Sequence, residues 1–360
     1  MKAATGLVQG RRADPGLAAQ AVHMAMQAAD LDIAQSVVLY LSSDFAHEPQ
    51  AAIAAAARAA QCTQVVGCTA AGVFTEADWV LDAPAAAALV LGEGGSLQSK
   101  QADSERLLTY CAPNALDLTW LQPGAPRFGG VAGDATGQGP YSVWQNARIQ
   151  ADGRCELTVQ GANLRVDFTQ GVHPLCPPVR LNKVAGHDVQ MLGGMTALSS
   201  LARELPLSVR APERIPTHQL MAGIPYGAPD NAVAEGRYYL LPIIAVNGAD
   251  QSVTIAGRLE PGLELFWAQR KPKAAADDMA AMLTRMTADR AAAPRFGLMF
   301  PCMGRGPLFY GGEDRDLKIL AERFSGLPFI GFYGNGEIAH FDGANRLLQY
   351  STVLALGFDD

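Results

Sequence analysis

The chain has 360 residues, which at about 150 residues per domain predicts two domains or one large two-lobed unit. Its 49% hydrophobic and 18% charged residues exclude a disordered chain. A net charge of -7 with no stripe of Lys and Arg excludes the footprint of a nucleic-acid binder and makes an anionic membrane surface an equally poor partner.

Residues 1–10 carry no apolar signal segment. The longest apolar run, residues 238–246, is interrupted by Pro242 and falls well short of the ~20 residues of a bilayer span. A soluble, cytoplasmic protein is expected. Cysteines 62, 68, 111, 155, 176 and 302 form no C-x-x-C, and the six histidines form no closely spaced pair. Free thiols, no metal site and no cofactor are therefore expected. The 61 alanines are read as genome composition.

In chain order, residues 4–8 are a short apolar run. Residues 14–29 read as a helix, with Asp14 as N-cap and Pro15 at the first helical position. Residues 36–41 (SVVLYL) read as a buried strand, and 49–60 as an alanine-rich helix. Val65 and Val66 lead into a loop from Gly67 to Gly72, and 87–91 form a strand ending at Gly92. Strands follow at 141–149, 155–160 and 164–169, with turns at Asp152-Gly153 and Gly161, then at 179–184 and 189–192. A helix at 196–205 opens the second half, and the proline-rich segment 206–216 is the expected linker. Residues 238–246 and 252–256 read as a hairpin across Asn247-Gly248. Strands at 263–268 and 296–300 flank a helix at 274–290, with Met279, Met282, Leu283 and Met286 on one face. A helix at 314–324 leads to Phe329-Ile330, a second glycine loop from Gly331 to Gly336, and a strand at 352–356 before Gly357.

The first ninety and last hundred residues thus share the order β-α-β-α-β-glycine loop-β. Gly67 and Gly72 are spaced like Gly331 and Gly336. An internal duplication follows, and with it an α+β fold of two pseudo-symmetric lobes, sheets packed inside and helices outside (αββα-like). A doubly wound α/β fold is the alternative.

Three segments carry candidate chemistry. In Pro301-Cys-Met-Gly-Arg-Gly306, Gly304 and Gly306 let backbone N–H groups approach a ligand. Arg305 offers a fork of donors for a carboxylate. Cys302 ends a strand and reads equally as a nucleophile or a small buried hydrophobe. Ser43 takes its place in the first half. In Gly334-Asn-Gly-Glu-Ile338, Asn335 and Gly336 shape a loop, and Glu337 can accept an ammonium or act as a base. Arg305 and Glu337 together match the two ends of a zwitterion. Phe128 to Asp134 (FGGVAGD) has glycines for close backbone approach but lacks dinucleotide-binding spacing, and Asp134 also suits a turn. His340 is the histidine nearest the Glu337 segment and the candidate base for Cys302, or else a surface residue.

These motifs resemble the FIST family, in which N- and C-terminal FIST domains are paired. The resemblance rests on residues 65–72, Phe128 to Asp134, Pro301 to Gly306 and residues 330–338, continuing through Asn345 and Tyr350-Ser-Thr352. It implies a FIST N-terminal domain at 1–205, a C-terminal domain at 206–360, and a bacterial sensory module for a small ligand such as an amino acid. The implied ligand set is Cys302, Gly304, Arg305, Gly306, Asn335, Gly336, Glu337 and Asn345, with Gly133 and Asp134. His340 departs from the small residue or proline of the family pattern. A chain of this length leaves no room for an output module, so a separate signalling protein is the expected partner. A cysteine-dependent enzyme using Cys302 and a protein-interaction scaffold are the alternatives.

Overall fold

Aspartate and proline punctuate the first helices. Asp14 accepts a hydrogen bond from the Gly16 N–H at 2.8 Å, Pro15 starts α1 (Pro15–Ala29), and Asp30 in the left-handed conformation ends it. α2 (Pro49–Ala60) starts on Pro49 and stops at left-handed Gln61. The computed structural model describes the chain except for residues 102–104, 135, 228–230, 290–291 and 360. It divides into two compact units, residues 1–169 with 279–360, and residues 170–278.

The first unit is built from one repeated set of strands. β1 (Lys2–Gln9), β2 (Ser36–Ser42), β3 (Val65–Ala70), the hairpin β4 (Gly72–Thr75) and β5 (Trp79–Leu81), and β6 (Ala85–Gly92) form the first copy, with α1 and α2 between its early strands. The second copy is β7 (Ser96–Ser99), β8 (Leu107–Cys111), the one-turn α3 (Leu118–Leu121), β9 (Arg127–Val131), the hairpin β10 (Val143–Gln145) and β11 (Arg148–Ile149), and β12 (Arg154–Gln160). The third begins with β13 (Asn163–Thr169), and the chain then makes the second unit. That unit comprises β14 (Val172–Pro174), β15 (Val179–Ala185), β16 (Asp188–Leu192), β17 (Met195–Thr196), α4 (Ala197–Arg203), β18 (Leu220–Pro225), β19 (Tyr238–Asn247), β20 (Ser252–Ile255) and β21 (Glu264–Arg270). α5 (Pro272–Thr287) returns to the first unit. The third copy resumes with β22 (Phe296–Pro301), α6 (Pro307–Tyr310), α7 (Arg315–Arg323), β23 (Phe329–Tyr333), the hairpin β24 (Glu337–Phe341) and β25 (Ala344–Leu348), and β26 (Thr352–Phe358).

The three sheets of this unit run β1-β6-β2-β3-β10-β11, β7-β12-β8-β9-β24-β25 and β13-β26-β22-β23-β4-β5. Each has one parallel pair, β2/β3, β8/β9 or β22/β23, and is otherwise antiparallel. Each hairpin leaves its own copy and completes the sheet of another. The duplication expected from the sequence is thus present in the first and last copies, and a third lies between them. Register aligns Gly67, Gly129 and Gly331. A Cβ at these positions would fall 1.8 Å from the Leu39 carbonyl oxygen, 2.0 Å from that of Thr109 and 2.1 Å from that of Met299. Gly331→Ala, which also meets the Phe74 ring, is expected to cost roughly 1–3 kcal/mol. An unchanged urea midpoint in that variant would contradict this packing.

Tyr40, Tyr110 and Phe300 hold matching positions on β2, β8 and β22. With Phe332 they form the aromatic centre where the three sheets face one another, and the Tyr40 and Tyr110 hydroxyls hydrogen-bond at 2.7 Å. Helices cover the outer faces. Ala18, Ala21, Val22 and Ala25 of α1 and Ala52, Ile53 and Ala56 of α2 pack on Ala86, Ala88 and Val90 of the first sheet. Glycine lets α1 lie close against β1: a Cβ at Gly6 would fall 2.1 Å from the Ala21 carbonyl oxygen. Met279, Met282, Leu283 and Met286 of α5 and Leu317 and Leu320 of α7 cover the third sheet. This is a mixed α+β fold, and the antiparallel majority removes the doubly wound alternative.

In the second unit, β21-β15-β16-β20-β19-β18 closes on itself through β18/β21. The barrel is filled by Leu181, Val189, Leu220, Ile243, Val253 and Trp267, with Leu198 and Leu201 of α4.

Several expectations change. The compact units are not two consecutive stretches of chain, because β13 pairs with β26 over seven residues and binds the middle of the chain to its end. The expected linker lies within the second unit as short turns, including Leu207–Val209 and Pro212–Arg214. The expected strand at 141–149 is the hairpin β10/β11, turning at Asn146 and Ala147 with φ of 53° and 57°. The expected helix at 274–290 starts earlier and stops at Thr287. Arg290 lies outside the described residues. Neither glycine loop is a loop throughout. Gly67 and Gly331 lie within strands, and only the segments before Gly72 and Glu337 turn.

Candidate functional site

The carboxyl ends of the parallel pairs bring the four glycine-rich motifs together. Cys302, following β22, bridges Gly334, following β23. The Met303 N–H donates to the Gly334 carbonyl at 2.9 Å, and the Gly334 N–H to the Pro301 carbonyl at 3.0 Å. The Asn335 N–H donates to the Val131 carbonyl at 3.1 Å, and the Val131 N–H to the Gly336 carbonyl at 2.8 Å. The Gly133 N–H reaches the Thr69 carbonyl at 3.2 Å. A Cβ on Gly133 would lie 2.5 Å from Asn335 Oδ1, so the glycine makes room for the Asn335 side chain.

Glu337 opens β24 and pairs with Gly130 on β9. Val73 and Val143 hold the matching positions in the other two copies, opposite Phe332 and Cys68. One copy therefore places a carboxylate where the other two place an isopropyl group. Glu337 is 0% exposed. Its Oε2 accepts from Ser351 Oγ at 2.5 Å and from the Ser351 N–H at 3.2 Å. Oε1 has no partner of hydrogen-bond geometry among the described residues. Burial pushes the carboxyl up to about 8 against the opposing pull of Ser351, the Cys302 thiol and the Arg305 charge.

Cys302 is 7% exposed and lies beside Glu337, its N–H donating to the Ser351 carbonyl at 2.9 Å. Register gives Ser42, not Ser43, as its counterpart in the first copy, because Tyr40 matches Phe300. Ser42 Oγ donates to Asp44 and accepts from the Ala85 N–H, so it has taken a structural role.

Arg305 is not the open carboxylate clamp expected from the sequence. It is 1% exposed in the turn Met303–Arg305. Its Nε donates to Asp316 Oδ2 at 2.7 Å and its Nη2 to Oδ1 at 3.2 Å, while Nη1 reaches the Thr169 carbonyl at 2.8 Å. Asp316 also accepts from the Tyr310 hydroxyl at 2.7 Å and Thr352 Oγ1 at 3.2 Å. The guanidinium fork is therefore spent inside the protein, fastening α7 to β13 and β26. Next to it, burial and the Asp316 charge push Asp314 up to about 6, although the Leu317 N–H and the Tyr333 hydroxyl donate to it.

The other expected site residues divide. Gly304 and Gly306 shape the turn around Arg305, and a Cβ on Gly306 would meet the Tyr333 ring at 3.0 Å. Gly336 lies against Leu347 at the entry to β24. Asp134 closes its own loop, accepting from Thr136 Oγ1 at 2.7 Å and the Gly139 N–H at 3.0 Å. Burial raises its carboxyl, but these bonds together hold it below its ordinary value. Asn345 is a buried tie, accepting from the Arg127 N–H at 2.7 Å and donating to the Ala125 carbonyl at 3.1 Å. His340 is exposed and contacts Asn345 Oδ1 through Nδ1 at 3.0 Å, which removes it as the base for Cys302. Sequence reasoning missed Asp316 and Ser351 as the partners of Arg305 and Glu337. The legible signal for Asp316 was an acidic residue beside Leu317 and Leu320 on a helix otherwise expected to bury its apolar stripe.

Among the described residues there is no cluster of His, Cys, Asp and Glu suited to a metal, and no helix is long and apolar enough to cross a membrane. The FIST N domain model matches residues 35–195 and the FIST C domain model residues 197–340. An uncharacterised protein of Mycobacterium tuberculosis is 25% identical over 254 residues, 69% of this chain and 66% of its own length. Another uncharacterised protein, from Mycobacterium bovis, is 27% identical over 244 residues, 66% of this chain and 62% of its own. The chain thus spans somewhat less than two thirds of the length of these curated relatives.

Proposed function

The chain belongs to the FIST family, whose domains are sensory domains associated with small ligands, and we propose that it senses a small amine-bearing molecule of the amino-acid class at the junction of Cys302, Asn335 and Glu337. The observation that carries this reading is Glu337. It is a buried carboxylate at a position that is valine in the other two copies, with Oε1 lacking a partner of hydrogen-bond geometry among the described residues. An ammonium group supplies both the missing hydrogen bond and the compensating charge. Asn335 offers a half-buried amide to the ligand's carboxylate. Arg305 contributes by shaping the turn and through its charge, not by contact. The reading includes a cytoplasmic setting and a separate signalling protein that receives the output.

The test is a thermal-shift titration with amino acids, their deaminated acids and their decarboxylated amines. At 100 times Kd a ligand adds about 2.7 kcal/mol of stability. Amines and amino acids are expected to raise Tm, deaminated acids to leave it unchanged, and Glu337→Gln to abolish the response. Equal binding by the deaminated acids, or an undiminished shift in Glu337→Gln, would remove Glu337 from ligand recognition.

A further inference from the structure

We propose that Cys302 and Glu337 are also a nucleophile–base pair that accepts an acyl group from a small ester or thioester. The inference rests on the same site as the sensing reading but not on the ligand being an amine. Two of the sheets converge on the pair. Cys302 follows β22 in the third sheet, and Glu337 begins β24 on the edge of β9 in the second. Alternation along the strand places Cys302 on the same face as Phe300, and Gly130, opposite Glu337, lies against Phe332. Both groups therefore stand on the inner side of the sheets, one layer above the aromatic centre. Ser42 and Ala112 match Cys302, and Val73 and Val143 match Glu337. No other copy holds both a thiol and a carboxylate at these positions.

A thiol needs a neighbouring acceptor for its proton to become a nucleophile. Ser351 holds Oε2 of Glu337, which leaves Oε1 as the acceptor. Burial also lifts the carboxyl above its ordinary range, which makes its ionised form a stronger base than an exposed carboxylate.

In the first step Glu337 takes the Sγ proton as sulfur attacks the carbonyl carbon. The C–S bond forms, and the carbonyl π electrons move to oxygen. Collapse restores the carbonyl and breaks the bond to the leaving alcohol or thiol, which takes the proton from Glu337. In the second step water adds to the Cys302 thioester, giving a proton to Glu337. The C–S bond breaks, Cys302 recovers that proton, and a carboxylic acid leaves.

The experiment follows p-nitrophenyl acetate with the full chain, measuring nitrophenolate release, intact mass and the labelled peptide. Acetyl transfer to Cys302 is expected, with Cys302→Ser losing it and Glu337→Gln slowing it at least tenfold. Glu337→Asp keeps a carboxylate and is expected to recover part of the rate. A urea melt of each variant separates lost chemistry from lost folding. The proposal is overturned if the acetyl group settles on half-buried Cys62 or Cys176 instead, or if folded Glu337→Gln acylates Cys302 at the wild-type rate. p-Nitrophenyl acetate carries no amine and acylation is read by mass rather than by melting, so loss of acylation and loss of sensing are read separately.

Discussion

Asp316→Ala is expected to lower the stability of the first unit by about 3–5 kcal/mol, the range for breaking a buried ion pair from one side. The size follows from what remains. Arg305 would keep its charge at 1% exposure after losing both hydrogen bonds to the carboxylate. The Tyr310 hydroxyl and Thr352 Oγ1 would lose the acceptor they share. Removing both charges is a different experiment. Arg305→Met combined with Asp316→Leu is expected to recover much of the loss, because two desolvation costs vanish with the attraction. The exposed pair Lys273–Asp277 supplies the contrast, since alanine at Asp277 is expected to change little. Urea midpoints for the four proteins decide the matter. A midpoint in Asp316→Ala close to that of the parent would mean that Arg305 finds water, and that the cluster is not sealed.

The second large effect is a dependence of stability on pH. An unfolded glutamate titrates near 4.5, whereas Glu337 in the fold is pushed up to about 8 by burial, with Ser351, Cys302 and Arg305 opposing. The folded state therefore holds this proton more tightly than the unfolded chain. Stability is greatest below the ordinary range, falls as pH rises from about 4.5 to about 8, and levels off above that. At about 1.4 kcal/mol per pH unit, the fall amounts to about 5 kcal/mol. Asp314, pushed up to about 6 by burial and Asp316, adds a fall of the same sign at lower pH. Asp134 and Glu156, held below their ordinary values, act oppositely and lose their stabilisation only as pH drops through the acid range. Glu337→Gln is thus expected to be more stable than the parent at pH 8 and to approach it at pH 5. Midpoints that run parallel in the two proteins over that window would show that Glu337 does not titrate there. A bound ammonium would counter the same fall, so an amine ligand is expected to stabilise the parent more at pH 8 than at pH 5.

Much of the fold was legible because local chemistry determines it. Asp14-Pro15 and Pro49 announce α1 and α2, and the β-branched run at 36–41 is β2 almost to the residue. The equal spacing of Gly67/Gly72 and Gly331/Gly336 marked the duplication, since these strands need glycine where their backbones approach a neighbour. The middle copy escaped notice because β7 and β8 are close in sequence, with no room for a long amphipathic pattern between them, and the segment from β9 to β10 is longer, leaving no matching glycine spacing. The four glycine-rich motifs, spread from residue 65 to residue 338, meet at the carboxyl ends of the parallel pairs.

What the tertiary structure alone decided is the role of each charged residue. Arg305 and Glu337 looked like the two hands of a zwitterion site, each in a glycine-rich loop. Pairing placed Asp316 and Thr169 around Arg305, and strand register turned Glu337 into the interior beside Cys302 and Ser351. A residue's type and its neighbours in sequence determine which conformation it favours and what it can donate or accept. Whether a charge meets solvent, a ligand or an internal partner depends on strand order and register, which arise from contacts between segments far apart in the chain.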